Sequence, residues 1–381
     1  MGGGKKWILS IHFGFSLGGV AKYAKKLERI CEGMDMAIHS VCILTQDRAI
    51  DALTMSKIDH TEIVVDSVWD FSWLRKVRSM ISEKEPTFVM SHGFNGHLVN
   101  FISCVFQRNF SLQIASYHGG YHATTLLRKS IQPLYNGFTH WFLRNKVASV
   151  VCVADYCTDF LRQHGVPPEK LATIHNGIKD HVAHPDSRRK IRGEWGIGED
   201  HLLIGIASRL DPVKGLAYLM EAFAVVAGKH DAARLVLMGE GTLRNDLQRQ
   251  VKQFGLDAKV VFAGMRSDVP ECLAALDIFV LPSLAEYHSF GLLEAMRAKL
   301  AIVATDVGGN TESVRNEMEG LIVPPADVDS LAMALNSLLD DRSLRERLSK
   351  AAYERFHEEF TEEVMIGKLV GWLEDVMERN R

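Results

Sequence analysis

Two carboxylates, Glu286 and Glu294, stand eight positions apart in the stretch EYHSFGLLEAM, on either side of a Ser-Phe-Gly step. Carboxylates that share one bond can act as acid and base, so their placement decides their chemistry. The apolar run DIFVLPSL just before them reads as a strand that Pro282 helps to end, residues 285–289 read as a loop, and FGLLEAMRA reads as a helix. Ser289 is placed to cap that helix and Gly291 falls near its first turn. Glu286 then lies in the loop and Glu294 about one turn into the helix, so they are not a same-face pair. A helix start with no side chain at Gly291 offers N–H groups to a phosphate, while Glu294 can equally be an acid that complements the helix dipole.

Cations occur in a comparable place. In SRLDPVKGLAYLMEAF, Arg209, Asp211, Lys214 and Gly215 fill a short loop between a strand and a helix. A forked guanidinium and a point-charge ammonium over strand ends suit the two phosphates of a nucleoside diphosphate; loop cations are also commonly just solvated. Next, MGEGTLRNDLQRQV places Gly239 and Gly241 after a strand, but Arg244 stands where a dinucleotide fingerprint has its third glycine. A close turn under a nucleotide and simple strand-to-helix geometry both fit it. Near the start, FGFSLGGVAKYAKKLERIC sets Gly18 and Gly19 between the first strand and an amphipathic helix. Paired glycines let backbone N–H groups approach a phosphate, or merely make a tight turn.

Among sixteen histidines, His118 in IASYHGGYHATT is the best placed for a functional imidazole, directly after a strand. His122 follows four residues on, without the third ligand a metal needs. In SHGFNGH, His92 and His97 flank Gly93 and Gly96 with Asn95 between them, again after a strand, where they suit a polar acceptor pocket. The stretch LLRKSIQPLYNGFTHWFLRNK mixes Arg128, Lys129, Arg144 and Lys146 with Phe138, Trp141 and Phe142. That mixture fits either an interfacial helix on anionic lipid or an ordinary core helix with solvated ends. No nucleophile elbow, Walker loop or zinc-protease motif is present.

Short β-branched runs alternate with longer stretches of helical period, the pattern of parallel sheets flanked by helices. The strands expected are KWILSIH, IHSVCILT, TFVMSHG, LQIASYH, SVVCVA and LATIHNG, then LLIGIASR, RLVLMGEG, KVVFAGM, DIFVLPS, LAIVATD and EGLIVP. At 381 residues two domains are expected. The polar stretch IKDHVAHPDSRRKIRGEWGIGEDH reads as their connection, with a short helix in it. Ligands of such sheets bind beyond the strand carboxyl ends, so two such domains would face each other across a cleft lined by those ends. The 44 basic and 47 acidic residues, net charge −3, speak against a broad nucleic-acid surface. The six cysteines show no metal or disulfide spacing and read as buried thiols. Too short an apolar run near the start for a signal peptide, and no spanning segment, give a cytoplasmic expectation.

Taken together, SLGG, SRLDPVKG, LMGEG, VVFAGM and above all SLAEYHSFGLLEAMRAKLAIVATDVGGNTESV followed by EGLIVPPAD resemble the retaining glycosyltransferases of family 4. The resemblance implies the α/β GT-B architecture, two Rossmann-like doubly wound domains facing a central cleft. It implies an acceptor-binding domain over residues 1–185, a donor-binding domain over 186–360, and a terminal helix over 361–381 that bends near Phe360 and crosses back to the first domain. It also implies a nucleotide-sugar donor, UDP-linked by expectation, and transfer to a saccharide or lipid-linked acceptor with no cofactor and no metal. His118, Glu286, Arg209 and Lys214 would act in the transfer. Gly18, Gly19, Gly241, Met265, Phe290, Gly291, Leu292 and Glu294 would join Arg209, Lys214 and Glu286 on the donor, with His92 and Asn95 on the acceptor side. Tyr287 and His288 depart from the usual small residues and would border the sugar pocket, and Lys299 replaces a usual glycine. Two other readings remain open: a nucleotide-sugar epimerase of the same shape, and a non-catalytic sugar-nucleotide-binding partner. Contact with the inner face of a membrane is compatible with all three.

Overall fold

A computed structural model of the chain describes residues 6–13, 27, 29–31, 34, 36–45, 59–66, 70–105, 111–119 and 126–380. Gly18, Gly19 and His122 lie outside them, as do the side chains of Arg128 and Lys129. The chain forms two compact units. The first comprises Met1–His175 and Met365–Arg381, the second Asn176–Val364.

The first unit is built on seven strands: β1 (Lys6–Phe13), β2 (Met36–Thr45), β3 (His60–Val65), β4 (Phe88–His92), β5 (Leu112–Tyr117), β6 (Ser149–Cys152) and β7 (Leu171–Thr173). All are parallel, in the order β3-β2-β1-β4-β5-β6-β7. The direction of winding reverses between β1 and β4, and at such a switch point the connections leave in opposite directions and open a crevice. β3 was not among the expected strands. As an edge strand it is covered incompletely, so HTEIVV carries Thr61 and Glu62 among its apolar residues and lacks the continuous run of a central strand. β4, buried at every position, shows that run.

The terminal helix Glu362–Arg379 belongs largely to this first unit. Met365, Leu369, Trp372, Leu373 and Val376 recur at helical spacing and pack with Ile8, Ile38, Phe88, Met90 and Ile114 of the sheet. The indole of Trp372 donates to Ser149 Oγ at 3.0 Å, which satisfies its one polar atom inside the core. The break expected near Phe360 is there, between the helix Arg342–Glu359 and the terminal helix.

The second unit has six parallel strands, β8 (Leu202–Ala207), β9 (Ala233–Met238), β10 (Val260–Gly264), β11 (Ile278–Leu281), β12 (Ala301–Thr305) and β13 (Leu321–Val323), in the order β10-β9-β8-β11-β12-β13. Its switch point lies between β8 and β11. The polar stretch expected as a connection holds the helix Ser187–Glu194 and is fastened to this unit's body. Arg192, 1% exposed, donates to the carbonyls of Ala275, Gly198 and His201 and pairs with Asp277, and Arg188 also donates to Asp277. A buried guanidinium whose two terminal nitrogens are hydrogen-bonded, with Nε 3.7 Å from Glu199 Oε2, explains why so charged a segment is nonetheless structural. The six cysteines form no disulfide, and five are buried. Burial pushes the thiols of Cys42 and Cys152 up to about 12, so they stay protonated and inert.

Candidate functional site

The switch point of the second sheet collects the charged residues. After β8 the chain turns through Arg209 and Asp211 into the single turn Pro212–Lys214, and Gly215 starts the helix Leu216–Lys229. After β11, Pro282 ends the strand and the loop carries Ser283 and Glu286 to the helix Phe290–Arg297. The two loops are pressed together. Leu284 N–H donates to Val213 O at 2.8 Å, and a Cβ on Gly215, whose φ is +65°, would stand 1.9 Å from Pro282 O. Only glycine permits that crossing.

The crossing brings Lys214 Nζ to 2.5 Å from Glu286 Oε1, although the two lie far apart in sequence. Ser283 Oγ donates to the same oxygen at 2.7 Å. Both charged side chains are less than a fifth exposed, 17% and 12%, so the pair is partly desolvated and needs its geometry to be good. Arg209 pairs with Asp211 and remains 74% exposed, positioned by one carboxylate and otherwise in solvent. From the other side, Gly308 braces the loop: with φ at +53°, a Cβ there would meet Glu286 O at 1.7 Å. Below it, Ser283 O accepts from Thr305 Oγ1 at 2.6 Å, and Thr305 O accepts from Asn310 Nδ2 at 3.1 Å.

Ser289 occupies the N-cap position of the helix Phe290–Arg297, but its side chain makes no capping bond. Gly291 sits beside the end of β8, with Ala207 O 3.7 Å from the place a Cβ would take, so this helix start abuts the switch point. Phe290 is half-buried, Leu292 is buried and faces the core, and Glu294 is half-buried. Gly241 follows β9, where Leu210 N–H donates to Glu240 O at 2.9 Å, and Met265 follows β10 with 73% of its surface exposed. Met265, Gly241, Arg209 with Lys214, and Glu286 thus follow successive strands β10, β9, β8 and β11. Three strand spacings of roughly 4.8 Å make this a row of about 14 Å.

His288, expected to border a sugar pocket, is instead turned into the unit. It is 5% exposed, its Nε2 lies 3.3 Å from Ser313 Oγ, and its ring sits 5.7 Å from that of Phe360. Asn176 Nδ2 donates to its carbonyl at 3.2 Å. A buried imidazole with these neighbours supports the loop from below.

In the first unit, His118 stands at the end of β5 and is half-buried. His92, expected on the acceptor side, is 4% exposed and lies between other rings, 5.7 Å from His118 and 4.5 Å from His12. Burial pushes the His118 imidazole down to about 4 and holds His12 and His97 at about 3, with a further contribution to both from His118. These rings are neutral at physiological pH. Asn95 is exposed on the first turn of the helix Gly93–Cys104. In the helix Leu126–Asn145, Phe142 is buried and Phe138 packs against Phe94 and Phe101, while Leu134 and Trp141 remain exposed. No helix among the described residues is long and apolar enough to cross a membrane.

Sequence reasoning did not find Ser283, Gly308, Ser10 or His12. DVGGN carries a visible glycine pair for Gly308, but the residue it touches is Glu286, in a separate loop. His12 had a signal in its place after an apolar run, the same signal that singled out His118.

Residues 187–355 match the family described as Glycosyl transferases group 1, and residues 17–181 match Glycosyltransferase Family 4. The chain is 28% identical over 237 residues to an alpha-D-kanosaminyltransferase of Streptomyces kanamyceticus, covering 61% of each. It is 28% identical over 234 residues to the UDP-Gal:alpha-D-GlcNAc-diphosphoundecaprenol alpha-1,3-galactosyltransferase of Escherichia coli, covering 59% of each. The match therefore spans about three fifths of the length of these relatives. Among solved structures, that of Anabaena HepE in complex with UDP-glucose superposes with a TM-score of 0.84 at 19% identity, over 97% of this chain and 99% of that one, a likeness of fold.

Proposed function

We propose, for a chain that belongs to the glycosyltransferases of family 4, that it moves a sugar from a UDP-sugar to an acceptor hydroxyl with retention at the anomeric carbon. The observation that carries this reading is the partly desolvated Lys214–Glu286 pair beside Arg209 at the second sheet's switch point. Breaking a bond between a sugar and a diphosphate puts negative charge on the leaving phosphate and positive character on the sugar ring. Fixed cations and N–H dipoles at that phosphate lower the barrier because they need not reorganise. On donor binding Lys214 exchanges the Glu286 carboxylate for a phosphate oxygen, and Arg209 supports the same group. Glu286, held by Ser283, is then released to accept from a sugar hydroxyl. N–H groups of Phe290, Gly291 and Leu292 face sugar and phosphate, Glu294 takes the ribose hydroxyls, and Gly241 and Met265 border the nucleoside.

No carboxylate is placed as a nucleophile in this scheme. The acceptor hydroxyl attacks from the side the phosphate leaves, and its proton passes to that phosphate oxygen. The lysine and arginine supply the charge stabilisation, so neither a metal nor a cofactor takes part. In this reading His118 acts on the transferred sugar, and Asn95 and His92 serve the acceptor side. The acceptor is a saccharide or a lipid-linked saccharide of cell-surface glycan synthesis. A cytoplasmic enzyme of this kind meets such acceptors at the membrane's inner face, and exposed Leu134 and Trp141 beside Arg144 and Lys146 suit that contact.

The test is a comparison of UDP, GDP and ADP by thermal shift, followed by nucleotide release from the matching sugar nucleotide with and without acceptor extract. A preferential shift with UDP is expected, because a ligand that binds only the folded state raises apparent stability. Equal shifts with all three would remove the UDP assignment. Recovery of an altered free sugar nucleotide without acceptor would favour epimerisation instead, a reading no structural observation prefers.

A further inference from the structure

Three imidazoles meet at the switch point of the first sheet, where β1, β4 and β5 are neighbours. His12 and His92 stack with centroids 4.5 Å apart and planes 6° from parallel, and His92 and His118 follow at 5.7 Å. Ser10 Oγ lies 2.8 Å from His12 Nε2 and 3.1 Å from His92 Nε2. His92 Nδ1 lies 3.5 Å from His118 Nε2, and Ser116 Oγ lies 2.8 Å from that same nitrogen. Ser10, His12, His92 and Ser116 are buried.

We infer that Ser10, His12 and His92 are positioning residues for His118: together they fix the orientation and the hydrogen-bonding direction of its ring at the end of β5. A hydroxyl has one hydrogen to give, so Ser10 can donate to only one of the two Nε2 atoms it touches and must accept from the other. The two stacked rings therefore hold opposite tautomers. If Ser10 donates to His92, the proton of His92 sits on Nδ1 and points to His118 Nε2, which then accepts and leaves the His118 proton on Nδ1. If Ser10 donates to His12, each bond reverses and His118 carries its proton on Nε2. The Ser10 hydroxyl thus acts with Ser116 on whether the far nitrogen of His118 offers a donor or an acceptor: Ser116 Oγ donates to His118 Nε2 in the first arrangement and competes with His92 for its proton in the second. Neutral rings are needed for this, and burial keeps them so by disfavouring the charged form of each. A second hydrogen-bonded group involves the residue before His92: Ser91 Oγ lies 2.9 Å from His97 Nδ1, and Asn100 Nδ2 donates to Ser91 Oγ at 3.3 Å.

That this positioning serves sugar transfer rests on the reading of His118 given above. The experiment separates the two. Nitrogen-15 NMR of the histidine-labelled full chain reports the tautomer of His118 directly; a single tautomer is expected in the unaltered protein between pH 6 and 8. Ser10→Ala removes the shared hydroxyl and His92→Phe keeps the stacked ring but removes its nitrogens, and in both the His118 signal should become a mixture. With UDP-glucose as donor, Ser10→Ala should lower kcat on the order of tenfold with KM nearly constant, because orientation and not donor binding is lost. A single, unchanged His118 tautomer in both folded variants overturns the positioning role. Turnover by His118→Ala equal to that of the unaltered enzyme would instead overturn the reading of His118 at the sugar, whatever the tautomer result.

Discussion

The second unit gathers Arg209, Asp211, Lys214 and Glu286 at its strand ends, whereas the first gathers Ser10, His12, His92, Ser116 and His118 at the corresponding place in its own sheet. Both sets lie at a point where the winding of a parallel sheet reverses. In the second, charge is kept inside by pairing: an ammonium and a carboxylate, each less than a fifth exposed, satisfy one another. In the first, charge is kept out by burial, and what remains is a set of neutral rings whose protons have direction. The same backbone geometry therefore accommodates either a paired ammonium and carboxylate or a set of neutral hydrogen-bonded rings. The difference lies in the residues that end three or four strands.

The largest effect that would break this comparison is expected from Lys214→Ala. By the proposed mechanism it removes a cation from the leaving group, and it leaves the Glu286 carboxylate without its ammonium, so kcat/KM should fall by roughly 100- to 1000-fold, measured as nucleoside diphosphate release. Activity within a factor of two of the unaltered enzyme would show that the charged switch point is structural only.

Acidification should strain the first unit and spare the second. His12, His92, His97 and His118 have folded-state affinities for protons below that of an ordinary histidine, which titrates near 6.5. The unfolded chain then binds more protons than the folded one below that pH. The stability in question is present in full above about 6.5 and is lost as pH falls toward 4 and 3, by up to about 1.4 kcal/mol per pH unit for each ring. Amide hydrogen exchange at pH 7 and pH 5 should show β1, β4 and β5 losing protection before β8 and β11. Equal loss in both sheets would mean that the imidazoles are not what separates them.

Gly308→Ala sharpens the contrast from the charged side. The added Cβ collides with the Glu286 carbonyl and must adopt a positive φ, a penalty of about 1–3 kcal/mol that calorimetry would read as a lower melting temperature. Donor affinity should weaken with it, because the loop that carries Glu286 is the part displaced. The smallest effect on the donor site is expected from Trp372→Phe, which keeps one aromatic ring but gives up the second ring of the indole and its donor to Ser149, at a cost of about 2 kcal/mol in chemical denaturation and no change in donor affinity.

How much of this the sequence revealed depended on how local the cause was. β8, β9, β11 and β12 are central strands covered on both faces, so their continuous apolar runs were sufficient. β3 runs His-Thr-Glu before Ile-Val-Val at an edge, and three apolar residues in a row did not distinguish it from a loop. Arg209, Lys214 and Glu286 could be singled out because a charge directly after a strand is a signal in itself. Their pairing could not, since it depends on Gly215 passing under Pro282. The stack of His12 on His92 joins strands that are neighbours only because the winding reverses between them. No spacing rule reaches that far along a chain.

The docking of residues 365–381 on the first sheet carries a consequence for biosynthesis. The second unit is one uninterrupted stretch of sequence, Asn176–Val364, while the first is completed only by a helix that follows it. A ribosome therefore finishes the second unit before it has made the segment that covers Ile8, Ile38, Phe88 and Ile114. Until residues 365–381 are made, the part of that apolar face they cover waits exposed while a whole second unit folds.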